Sequence, residues 1–515
     1  MTYDLLILGA GAAGLMAAIA AGEAASSPLK IAILEKNSRP GVKILVCGGG
    51  RCNLTNAGDQ AFLIEQFGRN GRFLTPALQQ FDNTALRGWF AGQDVPTHEE
   101  HDGKIYPDSN RAESVVTTLV RRVHDLGVEV FAGPAWAAAR VERGDGGFVV
   151  TTVDGHTFDA RNVLIAVGGQ SYTRMGTTGD GYRFAAALGH RIVTLRPAIV
   201  GLLCQEEWPK ALQGLAIQDV EVRIEVSGAG PLPKLTTGKP TPSINDLLFT
   251  HFGLSGPVVL NLSEIVAELL EKFPPAGASI TPDSPPPTTA PVTVSLRVDF
   301  ARHHTHDQLR RLFQSWQQRQ GAKLVRKLLA QSSPEIIINA TSPDQTWSSP
   351  PTTAHVAPGG SPGRAKSVDL GKPTPPLFLR ASPGLPPGAT FALPRRLAET
   401  MCTLSGIAPD QTCANLTAPQ MHALVERLKA SRFTITGTRG FKEAMVTAGG
   451  VALGEVDPRT MESKQVPGLF FAGEMLDLTG PSGGYNLQLA FSTGYLAGQT
   501  VARRKIHIDA PDSNA

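Results

Sequence analysis

The chain has 515 residues, too many for one small core and enough for two to four structural units at roughly 150 residues each. Hydrophobic residues make up 42% and charged residues 18%, a globular balance that excludes a disordered or fibrous chain. The 48 Lys and Arg nearly cancel 45 Asp and Glu, and that net +3 argues against a nucleic-acid or other polyanion partner.

Five scattered cysteines (Cys47, Cys52, Cys204, Cys402, Cys413), with no CxxC and no zinc-type spacing, exclude a disulfide framework and a metal site. A reducing, cytoplasmic setting follows. Leu5 to Ala21 is apolar, but Asp4 stands where a signal peptide would be basic, and Gly22-Glu23 ends the run before it could span a membrane.

The first element is a short apolar strand over residues 3–8, typical of a parallel strand buried on both faces. Gly9-Ala10-Gly11-Ala12-Ala13-Gly14 follows, then a small-residue helix from Leu15 to Gly22 and a second apolar strand over 30–34 ending at Glu35. This is a GxGxxG turn inside a βαβ unit. Gly9 makes the tight turn, Gly11 lets a pyrophosphate approach the backbone, and Gly14 packs helix on strand. The helix N-terminus offers N–H groups to phosphates. Glu35 is placed to accept from a ribose 2′-hydroxyl and disfavours a 2′-phosphate.

Further strands are expected at 127–131, 135–141, 148–153 and 162–167, the last followed by Gly168. From about residue 195 the pattern changes. Val220, Val222, Ile224 and Val226 alternate with polar residues, as do Val292, Val294, Leu296 and Val298, which reads as antiparallel strands. Leu309, Leu312, Phe313 and Trp316, and Met421, Leu424, Val425 and Leu428, fall at helical spacing. Thr417 with Gln420 forms a capping box for the second helix. Pro274–Pro291 and residues 341–388 are Pro-, Ser- and Thr-rich and read as disordered loops. After about 440 the α/β pattern returns: an apolar strand before Gly473-Glu474, then a helix from Asn486 to Arg503.

No second GxGxxG follows a strand; Gly168-Gly169-Gln170-Ser171 does not fit one. One fingerprint near the start and a strand–glycine element near the end suit FAD. Any NAD(P)H would then bind transiently as electron donor.

Gly48-Gly49-Gly50-Arg51-Cys52-Asn53-Leu54-Thr55-Asn56, residues 249–257, residues 447–451 and Gly473-Glu474 through Gly483-Gly484-Tyr485-Asn486-Leu487-Gln488 resemble the BaiN/RdsA-type NAD(P)/FAD-dependent oxidoreductases. The resemblance runs from residue 3 to about 500 and implies a discontinuous Rossmann-like α/β FAD-binding domain with inserted β-rich and helical subdomains. The expected bounds are 1–194 and 431–505 for the FAD domain, 195–302 for the β-rich part, 303–430 for the helical part, and a tail over 506–515. It implies a flavoprotein reductase, one class of which reduces C=C bonds conjugated to a carbonyl in steroid-like molecules, so a small organic substrate is expected. It implies that Gly9, Gly11, Ala12, Ala13, Gly14, Glu35, Lys36, Arg51, Cys52, Asn53, Gly168, Gly473, Glu474, Asn486, Leu487 and Gln488 hold FAD.

His251 and Tyr485 are the candidate proton donors, with Ser255 expected to cap a helix that has Pro257 in its first turn. Cys47-x4-Cys52 resembles the redox pair of disulfide-reductase flavoenzymes and makes Cys52 a catalytic candidate, although no C-terminal His/Glu base accompanies it. A thiol–disulfide reductase, a flavin-dependent RNA-modification protein and a flavin sensor without turnover are the alternatives.

Overall fold

The computed structural model describes residues 2–100, 102–228, 235, 242–274, 292–330 and 392–509. Residues 275–291 and 341–388, read as loops in the sequence, and residues 510–515 of the expected tail lie outside them. Among the described residues no helix is long and apolar enough to cross a membrane.

The first apolar run forms the strand Thr2–Leu8, which pairs in parallel with Ile31–Glu35 on one side and Thr157–Ile165 on the other. Leu6 sits opposite Ala32 and Val163 in these ladders. Glu129–Ala132 extends the sheet in parallel beyond Ile31–Glu35. Gly147–Thr152 and Ala138–Gly144 continue it antiparallel beyond Thr157–Ile165. Leu469–Phe471, more than 300 residues downstream by number, pairs in parallel with that same strand. Leu5, Leu6, Ile7 and Leu8 are wholly buried, each worth roughly 1.5–3 kcal/mol against exposure. One apolar cluster joins these early strands to Leu469–Phe471 and to Leu489, Phe491 and Val501 of the C-terminal helix Tyr485–Asp509. The fold is therefore a Rossmann-type α/β sheet closed by both ends of the chain.

Between them lies a closed antiparallel barrel. Its strands, in order around the wall, are Leu202–Cys204, Gly253–Ser255, Ser243–Thr250, Ala216–Ser227, Thr293–Asp299 and Ser431–Thr438. The helices His306–Arg319, Arg395–Leu404 and Ala418–Ala430 bury Leu309, Phe313, Met401, Leu424 and Leu428 in the same cluster as the barrel residues Val220, Leu247 and Phe433. Barrel and helices thus share one core. The antiparallel ribbon Ile192–Ala198 with Val446–Val451 connects this body to the Rossmann sheet.

Four local expectations need correction. The strand expected at 135–141 begins only at Ala138, because Gly133-Pro134 starts a 3-10 turn over Pro134–Trp136. The strand expected at 127–131 is Glu129–Ala132, after a turn at Gly127. The C-terminal helix runs on from Arg503 to Asp509. Ser255 does not cap the helix Pro257–Lys272: it ends a barrel strand, and Gly256 at φ 90° occupies the cap position without a side-chain bond. The Thr417 capping box is present as the sequence indicates.

Candidate functional site

A cavity of about 1480 Å³ opens at the carboxyl ends of the parallel strands and continues to the barrel. That exceeds the ~300–1,000 Å³ of an ordinary small-molecule pocket, leaving room for a dinucleotide and a second molecule. Parallel α/β sheets place ligands at this end of their strands.

The glycine turn forms one end. At Gly9 (φ 98°) a Cβ would lie 2.6 Å from the Ala166 carbonyl oxygen, and at Gly14 it would lie 1.9 Å from the Gly9 carbonyl oxygen. These two positions admit only glycine. Gly11, the N-cap of the helix Ala12–Ala24, differs: its φ is −83° and a Cβ there would meet nothing within 4 Å. The space over Gly11 belongs to the cavity, and no side chain caps the helix, so the first-turn N–H groups remain for an anion.

Glu35 is buried at the end of its strand. It accepts from Ala10 N at 2.8 Å and from Asn37 N and Nδ2, both at 2.8 Å, which fixes the glycine turn. Lys36 bridges to Asp180 at 2.7 Å. Further along, Glu474 Oε2 binds Lys43 Nζ at 2.5 Å, while its Oε1 accepts from Ser171 Oγ and Thr447 N, each at 2.7 Å. Four segments far apart in sequence meet at that carboxylate, which lines the cavity with Lys43.

At the barrel end, Arg51 lies over the Tyr106 ring at 3.9 Å and donates to Glu100 at 2.7 Å. Burial pushes the Tyr106 hydroxyl up to about 12 against the pull of Arg51. Asn486 closes the loop before its helix, accepting from Gly480 N at 2.9 Å and donating to Gly480 O at 2.8 Å. The Asn53 amide, turned to satisfy its neighbours, donates to Thr55 O and accepts from Gly484 N at 3.0 Å. Tyr485, 6% exposed, has its hydroxyl pKa raised by burial and then by Asp102.

Of the residues expected from sequence, Gly9, Gly11, Ala12, Ala13, Glu35, Lys36, Arg51, Asn53, Gly168, Gly473, Glu474, Tyr485, Asn486 and Leu487 line the cavity. Four lie off it. Gly14 packs beneath the turn. Gln488 is buried and donates to Phe81 O at 3.2 Å and Ser492 Oγ at 2.8 Å. Cys52 is wholly buried, and burial raises its thiol well above the usual range. His251 is exposed on the barrel turn, its ring against Phe252. Both Cys47 and Cys52 are free thiols; Cys47 lines the cavity, but burial pushes it up to about 11.

The sequence reading missed Lys43, Ser171, Tyr106, Asp246 and Asn261, of which all but Ser171 line the cavity. Asn261 stands one helical turn beyond Pro257, just outside the segment 249–257 singled out above.

The family described as HI0933-like protein Rossmann domain matches residues 3–500, and the chain belongs to it. The resemblance read from the four motifs is thereby confirmed. A relative named 3-dehydro-bile acid delta(4,6)-reductase, from Clostridium scindens, is 28% identical over 498 residues, covering 97% of this chain and 98% of its own. Two relatives named ribosomal RNA dihydrouridine synthase, from Haemophilus influenzae and Escherichia coli, are 26% and 27% identical. They cover 97% and 98% of this chain and 98% and 99% of their own lengths.

Proposed function

We propose that the chain is an FAD-dependent oxidoreductase that adds hydride and a proton across a C=C bond conjugated to a carbonyl. The observation that carries the cofactor is the uncapped helix start at Gly11, open to the cavity and backed by Glu35. The relatives' names support the reaction: a delta(4,6) bond beside a 3-dehydro position and the reducible bond of uridine are both C=C bonds conjugated to a carbonyl.

FAD, when bound, supplies a two-electron carrier between NAD(P)H and the substrate. The first-turn amides from Ala12 onward would hold its phosphates, Glu35 its ribose, and the loop of Pro481 to Asn486 its far end. Lys43 and Glu474 hold the strand-end segments together at the cavity wall. Tyr485 lines the cavity and, like any tyrosine, is protonated at neutral pH, so its hydroxyl can deliver the proton. A small organic substrate would lie near Leu247 of the barrel and Leu260 of the helix Pro257–Lys272, both of which line the cavity.

The purified protein should absorb near ~450 nm and bleach with NADH or NADPH under anaerobic conditions. Failure to retain flavin after FAD is added back overturns the cofactor assignment. Tyr485→Phe should still bleach yet reduce cyclohex-2-en-1-one ~10²–10⁴-fold more slowly.

A second reading, uridine in RNA, is favoured by the charge distribution. Residues 303–430 hold 14 Lys and Arg against seven Asp and Glu, leaving the rest of the chain net negative. A gel shift with a ribosomal RNA transcript that weakens steeply with salt would support it, and no shift at low salt would remove it. Thiol–disulfide chemistry is disfavoured, because burial raises both thiols away from thiolate.

A further inference from the structure

The barrel side of the cavity carries a hydrogen-bond donor for which the reaction proposed above has a use. The helix Pro257–Lys272 starts at Gly256, and Asn261, one turn in, lines the cavity. Its Oδ1 accepts from Ser482 N and from Ser482 Oγ, each at 3.1 Å. A backbone N–H can only donate, so the amide oxygen must face Ser482 and the orientation of the group is settled by chemistry. The –NH2 group has no protein partner among the described residues and is left for the cavity.

Ser482 stands three residues before Tyr485, so Asn261 is tied to the loop that carries the proton donor. Leu260, Leu247 and Ile199 line the same part of the cavity, where an apolar wall strengthens a donor's pull on developing charge.

We propose that Asn261 donates a hydrogen bond to the carbonyl oxygen of the substrate and stabilises the charge that collects there. The inference rests on the conjugated-C=C reading. Hydride, drawn ultimately from NAD(P)H, adds to the β-carbon; the π pair shifts to form an enolate whose charge lies largely on oxygen. The Asn261 amide faces that oxygen, and the Tyr485 proton then goes to the α-carbon. A neutral donor binds the oxygen without the desolvation cost of a second cation.

The test uses p-nitrophenolate, whose oxygen carries an enolate-like charge and which needs no redox chemistry to bind. Its binding to the holoprotein is titrated by absorbance for wild type, Asn261→Ala and Asn261→Asp. Asn261→Asp keeps an acceptor for Ser482 but replaces the donors by charge, so it reports even if Asn261→Ala folds poorly. Expected are at least tenfold weaker p-nitrophenolate binding in both variants, FAD content and NAD(P)H bleaching within twofold of wild type, and cyclohex-2-en-1-one turnover lower by ~10²–10³. No binding by wild type, or variants that bind within twofold of it, overturns the assignment of Asn261. Loss of flavin or of bleaching in wild type would instead overturn the redox reading, and with it the role given to Asn261.

Discussion

Gly11→Ala separates cofactor binding from folding. Gly11 has φ −83° and ψ −170°, a conformation alanine adopts without strain, and the added Cβ meets no protein atom within 4 Å. Removing glycine from the unfolded chain favours folding by ~0.4–1 kcal/mol. Alanine is the poorer N-cap, which costs a similar amount. The apoprotein should therefore melt within about 2 °C of wild type. The methyl group points into the space a phosphate must enter to reach the helix amides. Losing one charge-assisted bond to a backbone N–H costs ~1.5–3 kcal/mol, or about 10- to 100-fold in FAD affinity. Thermal melts of the apoprotein and quenching of FAD fluorescence on titration measure the two quantities. Gly14→Ala is the control, since its Cβ would sit 1.9 Å from the Gly9 carbonyl oxygen and should cost about 3 kcal/mol or more. Wild-type FAD affinity in Gly11→Ala would refute the idea that phosphates sit at this helix start.

Glu474→Ala should destabilise more than Lys43→Met in urea titrations. The first strands Ser171 Oγ, Thr447 N and the Lys43 ammonium; the second removes one donor each from Glu474 Oε2 and from Ser171 Oγ, whose hydroxyl still donates to Glu474 Oε1. With both side chains about one-fifth exposed, the larger loss should be ~2–3 kcal/mol rather than the ~3–5 of a fully buried pair. Burial, and then Asp477, push the Glu264 carboxyl up to about 7 while Arg196 pulls it down. The native state then holds a proton that the unfolded chain has released above about 4.5, so stability should fall as pH rises from 4.5 to 7. Glu264→Gln should flatten that slope and gain up to roughly 3 kcal/mol at pH 8 by urea unfolding. A variant no more stable than wild type at pH 8 would sink the argument. His251→Ala should leave cyclohex-2-en-1-one turnover within twofold, since the ring is exposed on the barrel turn away from the cavity.

What the sequence made legible was local. Gly9, Gly11, Gly14 and Glu35 sit within 27 residues and act through backbone geometry, so their spacing alone shows a phosphate-binding turn. The alternation of β-branched residues in 220–226 marked a strand, and the barrel follows once its partners at 293–299 and 431–438 are known. The Lys43–Glu474 pair was not legible, because its members stand 431 positions apart and neither lies in a pattern that requires the other. The contrast between His251 and Asn261 shows why side-chain chemistry alone misleads. Histidine invites an acid–base role from its titration range, yet the turn that follows its strand points it to solvent. Asparagine attracts no attention, but Gly256-Pro257 starts the helix that brings Asn261 to Ser482. Ser482 can only be reached when the barrel docks on the Rossmann sheet, and that docking is specified by the long-range ribbon pairing Ala198 with Val446. The cavity's chemistry is therefore a property of the docked arrangement: the fingerprint fixes where a cofactor begins, and the barrel decides what meets its other end.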